Sequence, residues 1–192
     1  MKTGVLASQG AFIEHIGTLK KLGVEAVPVR LPRQLAGLDG LIIPGGESTT
    51  ISKLMQDYNL FDEIKRLVAG GMPVFGTCAG MILLAKDIPD STVKSLGLMD
   101  ISVRRNAFGR QVESFETELA IPVLGEKLYH GIFIRAPLIE RVNGTTAVLA
   151  RLENGTIVAA RQGQFLVSSF HPELTDDTRF HRYFLDIIAG EK

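Results

Sequence analysis

The stretch Pro73-Val74-Phe75-Gly76-Thr77-Cys78-Ala79-Gly80-Met81-Ile82-Leu83-Leu84-Ala85 decides the fold. Two apolar runs flank a Gly-x-Cys-x-Gly turn, the pattern of a strand, a sharp elbow and a helix with a nucleophile at the apex. Both glycines have a geometric job, because a tight elbow needs unusual backbone angles and close strand–helix approach. A thiol at a helix start also lies among free N–H groups, a setting that favours the reactive thiolate. Cys78 is the only cysteine in 192 residues. Its bland alternative is a small buried hydrophobe, a common role for a free cysteine.

On the N-terminal side of this elbow, residues 4–7 read as a buried strand. Phe12, Ile16, Leu19 and Leu22 fall at helical spacing over residues 10–22, and Gly23 stops that helix. Residues 24–29 and 38–43 read as strands, 51–58 and 60–68 as helices, and 73–75 as the strand feeding the elbow. Ser48, Thr49 or Thr50 is expected to cap the helix after Pro44-Gly45-Gly46. The order βαββαβα argues for a mostly parallel sheet covered by helices. Beyond Asp87 the rhythm changes to strands over 98–103, 115–121, 129–134, 147–151, 156–161 and 164–170. Turn pairs Asn143-Gly144, Asn154-Gly155 and Gln162-Gly163 separate several of them and imply added antiparallel strands. A closing helix, capped by Asp176 or Asp177, carries an apolar stripe of Phe180, Tyr183, Phe184, Ile187 and Ile188.

The chain is 45% hydrophobic and 22% charged, with twenty-one basic and twenty-one acidic residues. That composition fits one globular domain over residues 1–192 and shows no basic field for nucleic acid or anionic membrane. One cysteine forms no internal disulfide, no apolar run reaches membrane-spanning length, and the N-terminus turns polar too early for a signal peptide. A cytoplasmic location is expected. No Asp, Glu, His or Cys spacing suggests a metal, and neither metal nor cofactor is expected.

In an open α/β sheet, ligands gather beyond the carboxyl ends of the strands. Three such ends carry chemistry here: the Cys78 elbow, Gly45-Gly46, and Ser169-Phe170-His171-Pro172-Glu173. In extended chain, residues two apart share a face, and Pro172 biases His171 toward extended geometry. His171 and Glu173 therefore form a candidate base with its orienting carboxylate, aimed at the thiol. A surface His-Pro-Glu turn is the alternative. Gly45-Gly46 lacks the Lys-Ser/Thr of a phosphate loop and the spacing of a dinucleotide fingerprint. Any βα turn can be glycine-rich; the sharper reading is a backbone N–H of this turn, at Gly46, that with the N–H of Ala79 would line an oxyanion hole. Arg104 to Gln111 is the most basic stretch, either a solvated loop or a grip for a substrate carboxylate. His15, His130 and His181 read as surface or structural histidines.

With Cys78, His171 and Glu173 assembled, the chain resembles the class I, triad-type glutamine amidotransferases, and among them the glutaminase subunits of pyridoxal 5′-phosphate synthase. The resemblance spans Gln9-Gly10-Ala11 with Glu14-His15, Pro44 to Thr49, Gly76 to Gly80, Arg105-Asn106 with Phe108 to Gln111, Phe133 to Pro137, and Ser169 to Leu174. The elbow continues Met81-Ile82 where many histidine- and purine-pathway glutaminases carry a glutamine, which suits the vitamin B6 branch. The resemblance implies a flavodoxin-like fold with Cys78 as nucleophile, His171 as acid/base and Glu173 as orienting carboxylate. It implies glutamine contacts at Gly46, Glu47, Ser48, Arg105, Ile134 and Arg135, of which Ile134 and Arg135 have no support besides it. It also implies a partner, the (β/α)₈-barrel synthase subunit, in a large hetero-oligomer with twelve of each chain by family analogy. The first helix around Glu14-His15 is the expected docking surface. Two other enzyme or binding classes compete: a cysteine peptidase or hydrolase variant, and a flavodoxin-like protein with a redox-sensing Cys78. The papain-type signature is absent, and the hydrolase order of nucleophile, acid, histidine is reversed here at His171 and Glu173. A redox sensor has no need for His171.

Overall fold

The structure, a computed structural model, describes residues 1–89, 91–105 and 114–192. Its first half contains β1 (Lys2–Leu6), α1 (Phe12–Lys21), β2 (Glu25–Val29), β3 (Gly40–Ile43), α2 (Ser48–Asp57), α3 (Leu60–Ala69), β4 (Val74–Thr77) and α4 (Ala79–Leu84). The second half adds β5 (Ala85–Asp87), β6 (Met99–Arg104), β7 (Ser114–Leu119), β8 (Tyr129–Ile134), β9 (Leu138–Val142), β10 (Ala147–Arg151), β11 (Ile157–Gln162), β12 (Phe165–Ser168) and α5 (Arg179–Ala189).

Strands β2-β1-β3-β4-β12 lie side by side in parallel. The last strand of the chain thus completes the parallel core by inserting next to β4. From β12 the sheet continues antiparallel through β11, which also pairs with β10, and on through β9 to β6, and β5 then pairs parallel with β6 at the edge. Strands β7 and β8 form a separate antiparallel ribbon.

Side-chain alternation builds a core on each face of the sheet. Leu6, Leu41, Ile43, Val74 and Val167 point to the face covered by α2, α3 and α4, where they meet Ile51, Ile64, Met81 and Leu84. Their neighbours Val5, Ile42, Phe75 and Leu166 point to the other face and meet Leu19 of α1 and Phe180, Phe184 and Ile187 of α5. Phe75 lies 5.5 Å from both Phe180 and Phe184, ring centre to ring centre. It is fully buried, and burial of such a side chain stabilises by roughly 1.5–3 kcal/mol.

The expected architecture is therefore present, with local differences. Strand β5 is only three residues long, too short to show periodicity. Strand β9, Leu-Ile-Glu-Arg-Val, buries only Ile139 fully while Glu140 and Arg141 face solvent, so its sequence carries little strand pattern. The closing helix starts after Thr178 rather than directly at Asp177, although Asp177 Oδ1 still accepts the Arg179 N–H at 3.1 Å. The cap of α2 is Glu47, not Ser48, Thr49 or Thr50: its carboxylate accepts the N–H groups of Thr49 at 3.0 Å and Thr50 at 2.8 Å. Partial burial pushes the Glu47 carboxyl up, but the donors from Thr49 and Thr50 more than offset it and lower it to about 2. A carboxylate with a depressed folded pKa contributes stability above its unfolded value, and that contribution is lost as pH falls through the folded value. The stability gap between wild type and Glu47→Gln should thus narrow between about pH 4.5 and pH 2, measured as Tm in a pH series. At neutral pH, Glu47→Ala is expected to lose about 1 kcal/mol, as for other caps.

Candidate active site

Strands β1, β3, β4 and β12 are neighbours running the same way, so their carboxyl ends open on one edge of the sheet. Cys78 stands at the end of β4 with φ 48° and ψ −104°. A positive φ on a non-glycine residue is strained and persists only where neighbours hold it. Here the Cys78 N–H donates to Ser168 O at 2.8 Å, and the Cys78 carbonyl accepts the N–H groups of Met81 and Ile82. The flanking glycines serve close approach, as the spacing implied. A Cβ on Gly80 would lie 1.9 Å from the Ile43 carbonyl oxygen, and one on Gly76 would lie 2.6 Å from the Gly80 carbonyl.

His171 follows β12, fixed by its N–H to Ile132 O of β8 at 2.8 Å. Its Nδ1–H donates to Glu173 Oε1 at 2.7 Å. The pairing expected from sequence is present, but its local cause differs. Residues Pro172–Leu174 form a 3-10 turn, closed by Leu174 N–H to His171 O at 3.2 Å, rather than extended chain. The turn, not strand alternation, brings the carboxylate to the imidazole. Both side chains are buried.

Burial alone would lower the pKa of His171, but its interactions with Cys78 and Glu173 outweigh that and raise it to about 10. Burial likewise pushes Glu173 up, yet His15 and His171 together hold it below the usual carboxylate range. The arrangement thus favours an imidazolium beside the Glu173 carboxylate, and a ring Nδ1 committed to that carboxylate leaves Nε2 for the thiol.

The turn after β3 closes over this pair. A Cβ on Gly45 would lie 2.4 Å from His171 Cε1 and 3.3 Å from Cys78 Cβ, so only glycine leaves room for both. The Gly45 N–H donates to Thr77 Oγ1 at 3.0 Å, and its carbonyl accepts the Ala11 N–H at 3.1 Å. In a planar trans peptide the next N–H points opposite to the carbonyl, so Gly46 N–H is turned away from Ala11. Ala79 is buried at the first position of α4. Glu47 N–H donates to Gln9 Oε1 at 2.8 Å, and Ser48 is buried beside it. Arg105 Nη2 lies 3.4 Å from both Glu47 Oε1 and Thr49 Oγ1, which joins two of the residues expected around glutamine. Cys78 Sγ faces the Ile134 carbonyl at 3.9 Å, so Ile134 borders the thiol through its backbone. Arg135 follows with φ 44° and is exposed. Asn106 and Phe108 to Gln111 lie outside the described residues.

Two of the other histidines belong to this neighbourhood. His15 and His181 are fully buried, and His15 Nε2 lies 3.3 Å from Glu173 Oε2. His15 therefore forms no part of an outer docking surface, although Ile13 and Glu14 beside it are exposed. The sequence held a signal: His15 lies on the same helical stripe as Phe12 and Leu19, and His181 on that of Phe184 and Ile188. His130 is different, partly exposed between Glu118 at 2.7 Å and Glu116 at 2.8 Å. Among the described residues no group of three His, Cys, Asp or Glu side chains could hold a metal ion, and no helix is long and apolar enough to cross a membrane.

A mostly parallel α/β sheet with a thiol elbow, a histidine and a carboxylate at adjoining strand ends is the arrangement expected of a glutamine amidotransferase. The comparisons show that family. The chain belongs to the SNO glutamine amidotransferase family, which matches residues 5–189. It is 58% identical over 190 residues to the pyridoxal 5′-phosphate synthase subunit PdxT of Herpetosiphon aurantiacus, covering 97% of this chain and 100% of that one. It is 60% identical over 193 residues to the PdxT of Pelotomaculum thermopropionicum, covering 100% and 98%. A glutamine amidotransferase crystal structure superposes with a TM-score of 0.93 at 51% identity, covering 98% of this chain and 100% of that one. PurLQS of Thermotoga maritima, at 16% identity and a TM-score of 0.69 over 96% and 97% of the two chains, shares the fold.

Proposed function

We propose that this chain is a glutaminase, one domain over residues 1–192, that hydrolyses L-glutamine to L-glutamate and ammonia and supplies the ammonia to pyridoxal 5′-phosphate synthesis. One observation carries the chemistry: His171 Nδ1 and Glu173 Oε1 lie 2.7 Å apart, and the imidazole and the Cys78 side chain meet at one point, 2.4 Å and 3.3 Å from where a Cβ on Gly45 would stand. The Cys78 thiolate attacks the side-chain amide carbon, forming a C–S bond and a tetrahedral oxyanion. The N–H groups of Gly46 and Ala79 stabilise that charge, and each such donor is worth roughly 10²–10³ in rate. The His171 imidazolium gives its proton to the amide nitrogen, the C–N bond breaks, and ammonia leaves a glutamyl thioester. His171, now neutral, takes a proton from water as the water attacks the thioester. The thiolate then departs and glutamate is released. Glu173 keeps the imidazole in the tautomer this cycle needs.

Glutamine would lie between the Gly46-Glu47-Ser48 turn, Arg105, Ile134 and Arg135. Arg105 offers a planar fork for the substrate α-carboxylate. Its existing contact with Glu47 supports that placement, because it holds the guanidinium at the rim of the turn.

Free ammonia becomes ammonium in bulk water and stops being a nucleophile, so a nearby acceptor site is needed. Relatives at 58% and 60% identity are named as subunits of pyridoxal 5′-phosphate synthase. The acceptor would be the (β/α)₈-barrel synthase chain of that complex, in a large cytoplasmic hetero-oligomer. The test is glutamine turnover by the purified chain with and without the synthase subunit. Equal amounts of glutamate and ammonia should appear when the partner is present. If glutamine stays intact with the partner bound, the glutaminase assignment falls.

A further inference from the structure

The mechanism uses one face of Glu173 and leaves the other to two buried histidines it does not need. His15 Nδ1 lies 2.9 Å from His181 Nε2. His15 Nε2 lies 3.2 Å from Thr77 Oγ1 and 3.3 Å from Glu173 Oε2. The ring is better aligned with Thr77, and Glu173 Oε2 has no aligned donor among the described residues. His15 Nε2 is thus the polar group facing an otherwise unsupported buried carboxylate oxygen.

Tautomers follow from these distances. An ionised carboxylate only accepts hydrogen bonds, so Nε2 of His15 must carry the proton, and a bare nitrogen there would repel it. Nδ1 of His15 is then an acceptor, and His181 Nε2–H donates to it. Burial lowers the pKa of each ring, which favours the neutral form, while the charge of Glu173 pulls His15 the other way. Thr77 Oγ1 in turn receives the Gly45 N–H at 3.0 Å, so the same ring also touches the group that holds the turn over Cys78.

We propose that His15, fixed in one tautomer by His181, is a positioning residue for the triad: its Nε2–H, shared between Thr77 and Glu173, keeps Glu173 ionised and turned toward His171. This rests on the glutaminase assignment above. The charged and titratable groups facing Glu173 are His15 from α1, His171 from its own turn, Cys78 beyond it, Tyr129 from β8 and, one ring further, His181 from α5. Glu14 acts on His15 from its outer side. Hydrogen bonds to charged groups are the stronger class. Without His15, Glu173 should hold a proton to higher pH, and the acid limb of kcat/KM should move toward neutrality.

The experiment is steady-state glutamine hydrolysis by the complex with the synthase subunit, across pH, for wild type, His15→Leu, His15→Gln and His181→Phe. His15→Leu should lower kcat about tenfold or more, shift the acid limb upward by about one pH unit, and leave KM within about twofold. His15→Gln, whose side-chain amide reaches where Nε2 stood, should recover most of the loss. His181→Phe should produce a smaller shift of the same sign, and it decides the matter if His15→Leu fails to fold. An unshifted acid limb in His181→Phe and in folded His15→Leu would overturn the proposal while leaving the glutaminase intact. No turnover by wild type would instead remove the function on which the proposal rests.

Discussion

Cys78→Ala is expected to reduce ammonia release by roughly 10⁴-fold or more, the scale seen when a nucleophile acting as part of a unit is removed. The side chain loses only Sγ, whose contact with the backbone is a weak one to Ile134 O at 3.9 Å. The Cβ and the N–H to Ser168 O remain, so folding stability should stay within about 1 kcal/mol of wild type. Activity and stability therefore separate at this residue. The measurement pairs a glutamate assay with thermal unfolding. If Cys78→Ala hydrolysed glutamine at more than a few per cent of the wild-type rate, the thiol would not be the nucleophile.

Gly80→Ala is expected to do the opposite and strike the fold first. The new Cβ would lie 1.9 Å from the Ile43 carbonyl oxygen and 2.8 Å from its carbon, both backbone atoms that no rotamer can move aside. Either α4 lifts from β3 or the elbow opens. Overpacking of this kind costs about 3 kcal/mol, and for a chain of this length that lowers Tm by roughly 6–12 °C. Activity should fall with it, since the elbow that aims Cys78 is the part displaced. Gly17→Ala is the control. Nothing lies within 4 Å of a Cβ at that α1 position, so the substitution should leave Tm unchanged or raise it slightly through better helix propensity.

The parallel core was legible in the sequence because buried strands announce themselves. Leu41-Ile42-Ile43 and Val74-Phe75 are short, wholly apolar and bounded by glycine or proline, and each alternates between the two cores. The Cys78 elbow was legible because its chemistry and its backbone constraint coincide in five residues. Strand β9 was not, since its Glu140 and Arg141 spend their side chains in solvent, Glu140 in an ion pair with Arg104. The Glu47 cap was missed because glutamate rarely caps, and only the turn geometry at Gly45-Gly46 brings its carboxylate back onto Thr49 and Thr50.

For the site, His171 and Glu173 were found for a correct pairing and an incorrect local reason. Spacing of two residues fits both an extended strand and a 3-10 turn, and only coordinates distinguish them. His15 illustrates a different limit. It is far from Glu173 in sequence, and a histidine on an apolar helical stripe shows burial without showing its partner. Long-range polar contacts of this kind arise from the sheet order, here from α1 and α5 meeting on the face of the sheet that carries Phe75.

The most direct test of the central claim is covalent capture of the nucleophile. The complex would be treated with a diazoketone analogue of glutamine and its peptides read by mass spectrometry. One label per chain should appear on the peptide carrying Cys78, with glutamine protecting against it and activity lost in proportion. Labelling at another residue, or full loss of activity with Cys78 unmodified, would contradict it.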